Sequence, residues 1–243
     1  MKKMKIFVLI AGMMLMAFTF NSCDDDDDYS LGDIYGSIAT VKPLSENSNS
    51  YSFILDGGST LWPATNHVPW YKPNDNQRAI IYYTILSDKF QGYDHAILLR
   101  DISNILTKYP AENLGNEEND EKYGIDPVEI LDMWIGDGFL NVRFGFNYGG
   151  KVKHFINLVQ REDVNTPYYF EFRHNAYDDT ENAGAKGLVA FNLSHLNIKE
   201  EVTLTIKVKT FEGDKEYPIV YKPGQKESGE KNFSEQDITK ELK

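Results

Sequence analysis

A single cysteine in 243 residues leaves no partner for an internal disulfide, and it excludes a structural zinc site built on several thiolates. Positive charge is also short. Lys plus Arg total 25 against 37 Asp plus Glu, a net −12 with histidines neutral. That deficit argues against nucleic acid as a partner, because phosphates reward a basic surface. The longest apolar run, Ile6–Phe20, is shorter than the ~20 residues a helix needs to cross a bilayer. Methionine is scarce after the first residues, since only Met133 lies beyond Met16. Aromatics are what the chain has in quantity, with 15 Tyr, 14 Phe and 13% aromatic residues overall. Such a chain can bury a substantial core, and its length allows one large or two small domains.

The first residues read as an address. Lys2, Lys3 and Lys5 precede the apolar run, and Phe20-Asn21-Ser22-Cys23 closes it. That order is the grammar of a secretory signal, and its end resembles a bacterial lipobox with cleavage between Ser22 and Cys23 and lipid attached to the Cys23 sulfur. Phe20 stands where the lipobox usually has Leu. The expected spans are a signal over 1–22 and an acidic, lipid-anchored tether over 23–30. Asp24–Asp28 forms a like-charged run that stays hydrated and extended. An acidic run after a lipidated cysteine also resembles the export signal of surface lipoproteins, which implies the outside of an outer membrane. Removing residues 1–22, with three lysines and no acid, takes the net charge from −12 to −15.

Beyond the tether the dominant period is two. Leu140, Val142, Phe144, Phe146 and Tyr148 alternate with Asn141, Arg143, Gly145 and Asn147, a strand with one buried face. Gly149-Gly150 then predicts a hairpin turn with a strand returning over Lys151–Val159. Val202, Leu204, Ile206 and Val208 repeat the alternation, and Glu212-Gly213-Asp214 turns the chain back through Tyr217, Ile219 and Tyr221. Shorter strands are predicted at Tyr168–His174 and Leu188–Leu193. This spacing reads as an Ig-like β-sandwich over 116–223. Ahead of it, Ile34–Val41, Tyr51–Leu55, Ala79–Leu86 and His95–Arg100 are predicted strands, with a further strand opening at Thr60–Trp62. Five short strands fit a small OB-like β-barrel over 31–115. Ile102, Ile105, Leu106 and Tyr109 have helical spacing, which predicts a short helix ending before Pro110. Glu112–Asp126 is polar and acidic and marks the expected boundary. Residues 224–243 read as a polar tail, with Ser234 as the one capping signal. The fold class is therefore all-β.

Residues that carry chemistry are sparse. His67, His95, His154, His174 and His195 form no HExxH pair, and His154 and His95 belong to strand patterns as structural residues do. Ser59, Ser87 and Ser194 lack the GxSxG setting of a nucleophile elbow. Gly149-Gly150-Lys151 has neither the spacing nor the context of a phosphate loop. Carboxylates are plentiful, but no two are singled out as an acid–base pair. The expectation is a non-enzymatic protein without cofactor or metal. Surface recognition remains. Trp62, Trp70 and Tyr71 lie in a Pro-containing, loop-like stretch, where they either stack on a glycan or protein partner or plug the barrel end.

Several stretches together resemble the NigD-like lipoproteins. They are the lipobox with its acidic sequel, Leu55-Asp56-Gly57-Gly58-Ser59-Thr60-Leu61-Trp62-Pro63, Ile105-Leu106-Thr107-Lys108, Asp132–Val142, and Lys153–Val159. The resemblance implies an N-terminal OB-type barrel, a C-terminal immunoglobulin-like sandwich and a lipid anchor in the membrane. It also implies an immunity role, from the bacteriocin gene cluster that gave the family its name. The matched residues themselves have structural reasons. Gly57-Gly58 turns a hairpin, Trp62 and Trp134 bring bulk to bury, and Asn141 and Asn157 suit strand ends.

Overall fold

The computed structural model describes residues 29–45, 49–162, 165–181, 183–224 and 242. Its first sheet is a closed barrel of β1 (Tyr35–Pro43), β2 (Tyr51–Leu55), β3 (Thr60–Asn66), β4 (Arg78–Phe90) and β5 (Tyr93–Asn104). The order around the barrel is β1-β2-β3-β5-β4, and β4 closes on β1. Only β3 and β5 run parallel, the arrangement of the OB fold. The Asp56-Gly57-Gly58 turn joins β2 to β3, and Gly58 at φ 83° takes the left-handed conformation that glycine permits. Alternation sends Val41, Phe53, Leu61, Ile81, Ile97 and Leu99 inward as the barrel core.

The rest is a sandwich of two four-stranded sheets. One has the order β6 (Leu106–Lys108), β11 (Ala183–Asn192), β8 (Phe139–Tyr148), β7 (Glu129–Gly136). The other has β13 (Gly213–Tyr221), β12 (Val202–Thr210), β10 (Tyr169–Asn175), β9 (Phe155–Gln160). Leu140, Val142 and Phe144 face Phe170, Phe172, Leu204 and Ile206 across the core. The all-β class with a barrel and then a sandwich is thus observed.

Three local expectations are corrected. The helical spacing at Ile102–Tyr109 is not a helix. β5 runs on to Asn104, Ile105 turns into the barrel–sandwich junction, and β6 pairs parallel with β11. A bend between two strands thereby mimics a period near 3.6. It also places β6, inside the 31–115 span, in the sandwich sheet. Among the described residues the one α-helix, α1 (Asn116–Tyr123), lies instead in the acidic stretch read as a boundary. Finally, Gly149-Gly150 turns no hairpin. β8 is flanked on both sides by β7 and β11, so the next strand, β9, crosses to the other sheet and pairs with β10. Ser234 and the other residues of 225–241 lie outside the described residues.

Candidate functional site

The barrel meets the outer face of the β6-β11-β8-β7 sheet, and the meeting is built by alternation on both sides. Ile38 and Ile80 point out of the barrel. Trp134, Phe139, Leu188 and Ala190 point out of the sandwich, and Ile105 joins them in one buried cluster. Arg78 lies on the same barrel face as Ile80 and is completely buried. Its guanidinium donates to Asp56 Oδ1, to Thr40 Oγ1 at 2.9 Å and to Asn141 Oδ1 at 3.4 Å. It also sits 5.1 Å from the centre of the Phe139 ring. The second oxygen of Asp56 accepts the Trp134 indole N–H at 2.9 Å. A buried cation needs such partners, because desolvation without them costs far more than any one contact returns. Gly136 leaves room for this carboxylate, since a Cβ there would stand 2.2 Å from Asp56 Cγ. Beside it, burial pushes the Asp137 carboxyl up, against the pull of a Thr40 hydrogen bond and the Arg78 charge. Every polar atom of the Asp56 carboxylate is engaged, so the cluster acts as a clasp between the domains.

A second buried polar group sits at one end of the sandwich. His154 Nδ1 and His174 Nε2 share a hydrogen bond of 2.9 Å, and Phe146 and Tyr148 pack their rings against His154. Burial holds both imidazoles below their ordinary range, and repulsion from His154 helps bring His174 down to about 4. Asp179 Oδ2 lies 3.6 Å from His154 Nε2. Burial opposes ionisation of Asp179, but the Lys151 and Val152 N–H groups and His154 hold its carboxyl below the usual range. Among the described residues no cluster of three or more His, Cys, Asp or Glu is arranged to hold a metal ion.

On the outer face of the other sheet, Arg161 and Arg173 pair with Glu171, and Arg173 reaches on to Asp120 of α1. A cavity of about 220 Å³ opens beside them, lined by Asp126, Lys207, Lys209 and Asp214 as well as this network. Asp214 pairs with both lysines, so the cavity is lined by charges of both signs.

The structure separates the three aromatics singled out in the sequence. Trp70 is 64% exposed. Tyr71 is 7% exposed: it packs on Tyr51 in the barrel core and donates to Asn104 Oδ1 at 2.8 Å, so it presents no surface to a ligand. Trp62 is half-buried with its ring 5.3 Å from that of Tyr93. Ser22 and Cys23 lie outside the described residues. Trp134 and Asn141, expected to serve the fold, are both members of the clasp, and Asn157 accepts from Lys108 Nζ at 2.7 Å. The sequence reading overlooked Asp56 and Arg78. Asp56 passed for a turn former before Gly57-Gly58. The available signal for Arg78 was a lone arginine opening the apolar run Ala79-Ile80-Ile81.

Comparison with known proteins bears on both the barrel and the sandwich. Residues 38–105 match the NigD-like N-terminal OB domain, and residues 110–221 match the NigD-like C-terminal β-sandwich domain. No curated protein matches. Among solved structures, a protein from Parabacteroides distasonis described as toxin-related is 46% identical, covering 79% of this chain and 95% of its own, with a TM-score of 0.72. A protein of unknown function from Bacteroides vulgatus is 24% identical over 87% of this chain and 100% of its own, at a TM-score of 0.66. A NigD-like immunity protein from Bacteroides caccae shares the fold at 19% identity and a TM-score of 0.59, covering 81% of this chain and 100% of its own. With both domains matched in order, and with a 46% identical relative across most of its length, the chain belongs to the NigD-like family.

Proposed function

We propose that the mature chain is a non-catalytic lipoprotein of the outer membrane surface, held through Cys23, and that it captures a protein partner there in an immunity-type role. The observation that carries this reading is the 46% identity over 79% of the chain to a protein described as toxin-related. The lipobox-like Phe20-Asn21-Ser22-Cys23 supports the anchor, and the acidic Asp24–Asp28 run supports export to the surface. A clasp that ties barrel to sandwich suits capture, because a pre-organised surface loses little conformational freedom on binding. The test is deletion of the gene followed by challenge with secreted toxins of competing strains. One toxin should become lethal, and the purified mature protein should bind that toxin directly. Unchanged sensitivity across the toxin panel overturns the immunity role.

A glycan ligand is the second reading, favoured by the exposure of Trp70 on the barrel. It predicts sugar-dependent quenching of tryptophan fluorescence that Trp70→Ala removes. Silence over a broad glycan panel overturns it.

A further inference from the structure

The described chain begins at Tyr29, and residues 29–34 are fastened to one flank of the barrel. The Tyr29 hydroxyl donates to Asp88 Oδ1 at 2.8 Å near the end of β4. Arg100 of β5 donates to the Leu31 carbonyl, and the Thr84 hydroxyl of β4 donates to the Asp33 carbonyl at 2.6 Å. Arg100 Nε in turn donates to Thr84 Oγ1 at 2.8 Å, so one polar group holds the segment from beneath. β1 pairs with β4 from Tyr35 opposite Tyr83 onward, and ahead of it a turn closed by the Asp33 N–H on the Ser30 carbonyl folds the segment. The backbone is thus fixed, yet the apolar side chains it carries are not covered. Leu31 is 66% exposed and Ile34 58%, and Leu86, two residues along β4 from the Thr84 that holds the Asp33 carbonyl, is also exposed. Single exposed apolar residues are ordinary on a protein surface. Here, among the described residues of 29–104, three of the five exposed large apolar residues lie on the entering segment or on the strand it bonds to.

The length of chain ahead of that point identifies what can cover them. Five residues, Asp24–Asp28, lie between Cys23 and Tyr29, and at ~3.3–3.6 Å per residue the six steps span at most ~22 Å. A lipid on Cys23 therefore keeps this flank within one short tether of the bilayer. We infer that Leu31, Ile34 and Leu86 form a contact patch for the bilayer surface that holds the anchor, so that the β4–β5 flank of the barrel faces the membrane. The inference rests on the lipid-anchored reading above. A patch this small would not hold a free protein. Tethering makes the contact intramolecular, where a weak interaction is populated. The Asp24–Asp28 run is repelled by anionic headgroups, so the contact depends on apolar insertion and suits a neutral surface.

The far end of the molecule supplies a control. β7 starts beside Thr210, through the Val128–Thr210 bridge, and ends with Gly136 against Asp56 at the barrel junction. Eight residues of strand, about 25 Å, thus separate the β12–β13 turn from the barrel. Phe211 in that turn is exposed.

Because lipid occupies the only native thiol, an introduced cysteine can be labelled alone. The experiment uses full-length protein matured in cells, with Ile34→Cys or Phe211→Cys carrying a nitroxide, reconstituted in phosphatidylcholine vesicles. Flotation with the vesicles, together with the mass of the modified Cys23 peptide, first reports the anchor. The label at Ile34 should then be relaxed several-fold more by oxygen, which partitions into lipid, than by a water-soluble nickel chelate. The label at Phe211 should show the reverse. Equal chelate access at the two positions in floating, lipidated protein overturns the patch while leaving the anchor standing. An unmodified Cys23 and no flotation overturn both.

Discussion

His174 shows what burial does to one residue. Burial and its His154 neighbour hold the ring near a pKa of about 4, against 6.5 for the ordinary side chain. The unfolded chain therefore binds a proton that the folded chain refuses between those two values. The neutral ring's contribution to stability is complete above about pH 6.5 and is lost progressively as pH falls toward 4, below which the loss levels off. A shift of this size corresponds to roughly 3 kcal/mol. The groups facing the pair are Asp179 and Asp126, and both favour the charged form, which moderates the loss. Urea unfolding between pH 7 and pH 4 should show this slope in the native protein. Parallel curves for native protein and His174→Gln, which cannot titrate, would mean that His174 is not its source. The sequence places His174 at the end of the expected strand Tyr168–His174 and singles out no role for it. Its partnership with His154 was not legible, because β9 and β10 pair only after β9 has crossed between sheets.

Elements were legible where local period and final burial agree. β2 runs Tyr51–Leu55 as alternation predicts, and β10 and β12 fall where expected within a residue or two. Alternation failed to distinguish a strand buried on one face from one buried on both. On β8, Asn141 reads as solvent-facing but is wholly buried, because the barrel covers that face. The helix was the least legible element, since α1 is polar on all sides and shows no apolar stripe for a 3.6-residue period to reveal. Its hold on the rest of the fold joins one aromatic contact, the buried Tyr123 ring 6.3 Å from that of Phe155 in β9, to polar ones. Asp120 pairs with Arg173, the buried Asn119 accepts from the Leu114 N–H at 3.0 Å, and the Tyr123 hydroxyl donates to the Glu112 carbonyl at 3.0 Å. Helices this short are marginal without tertiary contacts. Asp120→Ala should therefore fray α1 while leaving the sandwich intact. Amide exchange over 119–123 should accelerate at least tenfold with β10 and β12 unchanged. If exchange in α1 stays at its native rate, the ion pair contributes nothing to holding the helix.

At the scale of the whole molecule, the clasp decides whether barrel and sandwich behave as one body. The two-domain plan was legible because each domain carries its own alternating core. The clasp was not, because Thr40, Asp56, Arg78, Trp134 and Asn141 are scattered through the chain and each has an ordinary local reading. Interfaces between domains usually permit relative motion unless they are large and apolar. This one adds a fully buried cation to an apolar cluster, and removing one partner of such a pair strands the other at a cost of about 3–5 kcal/mol. Calorimetry of the native protein should accordingly give one unfolding transition with equal calorimetric and van't Hoff enthalpies. Arg78→Met keeps the apolar bulk and removes the charge. It should split the transition into two, and only the lower one should move the fluorescence of Trp134, read in a Trp62→Phe/Trp70→Phe background. Adding Asp56→Asn should raise the lower transition part of the way back, because the stranded charge is gone while the amide oxygen still accepts the Trp134 N–H. A single transition in Arg78→Met, displaced in temperature but not divided, would mean that the apolar cluster of Ile38, Ile80, Ile105 and Phe139 couples the domains by itself. The clasp would then set the register between barrel and sandwich rather than their cooperativity.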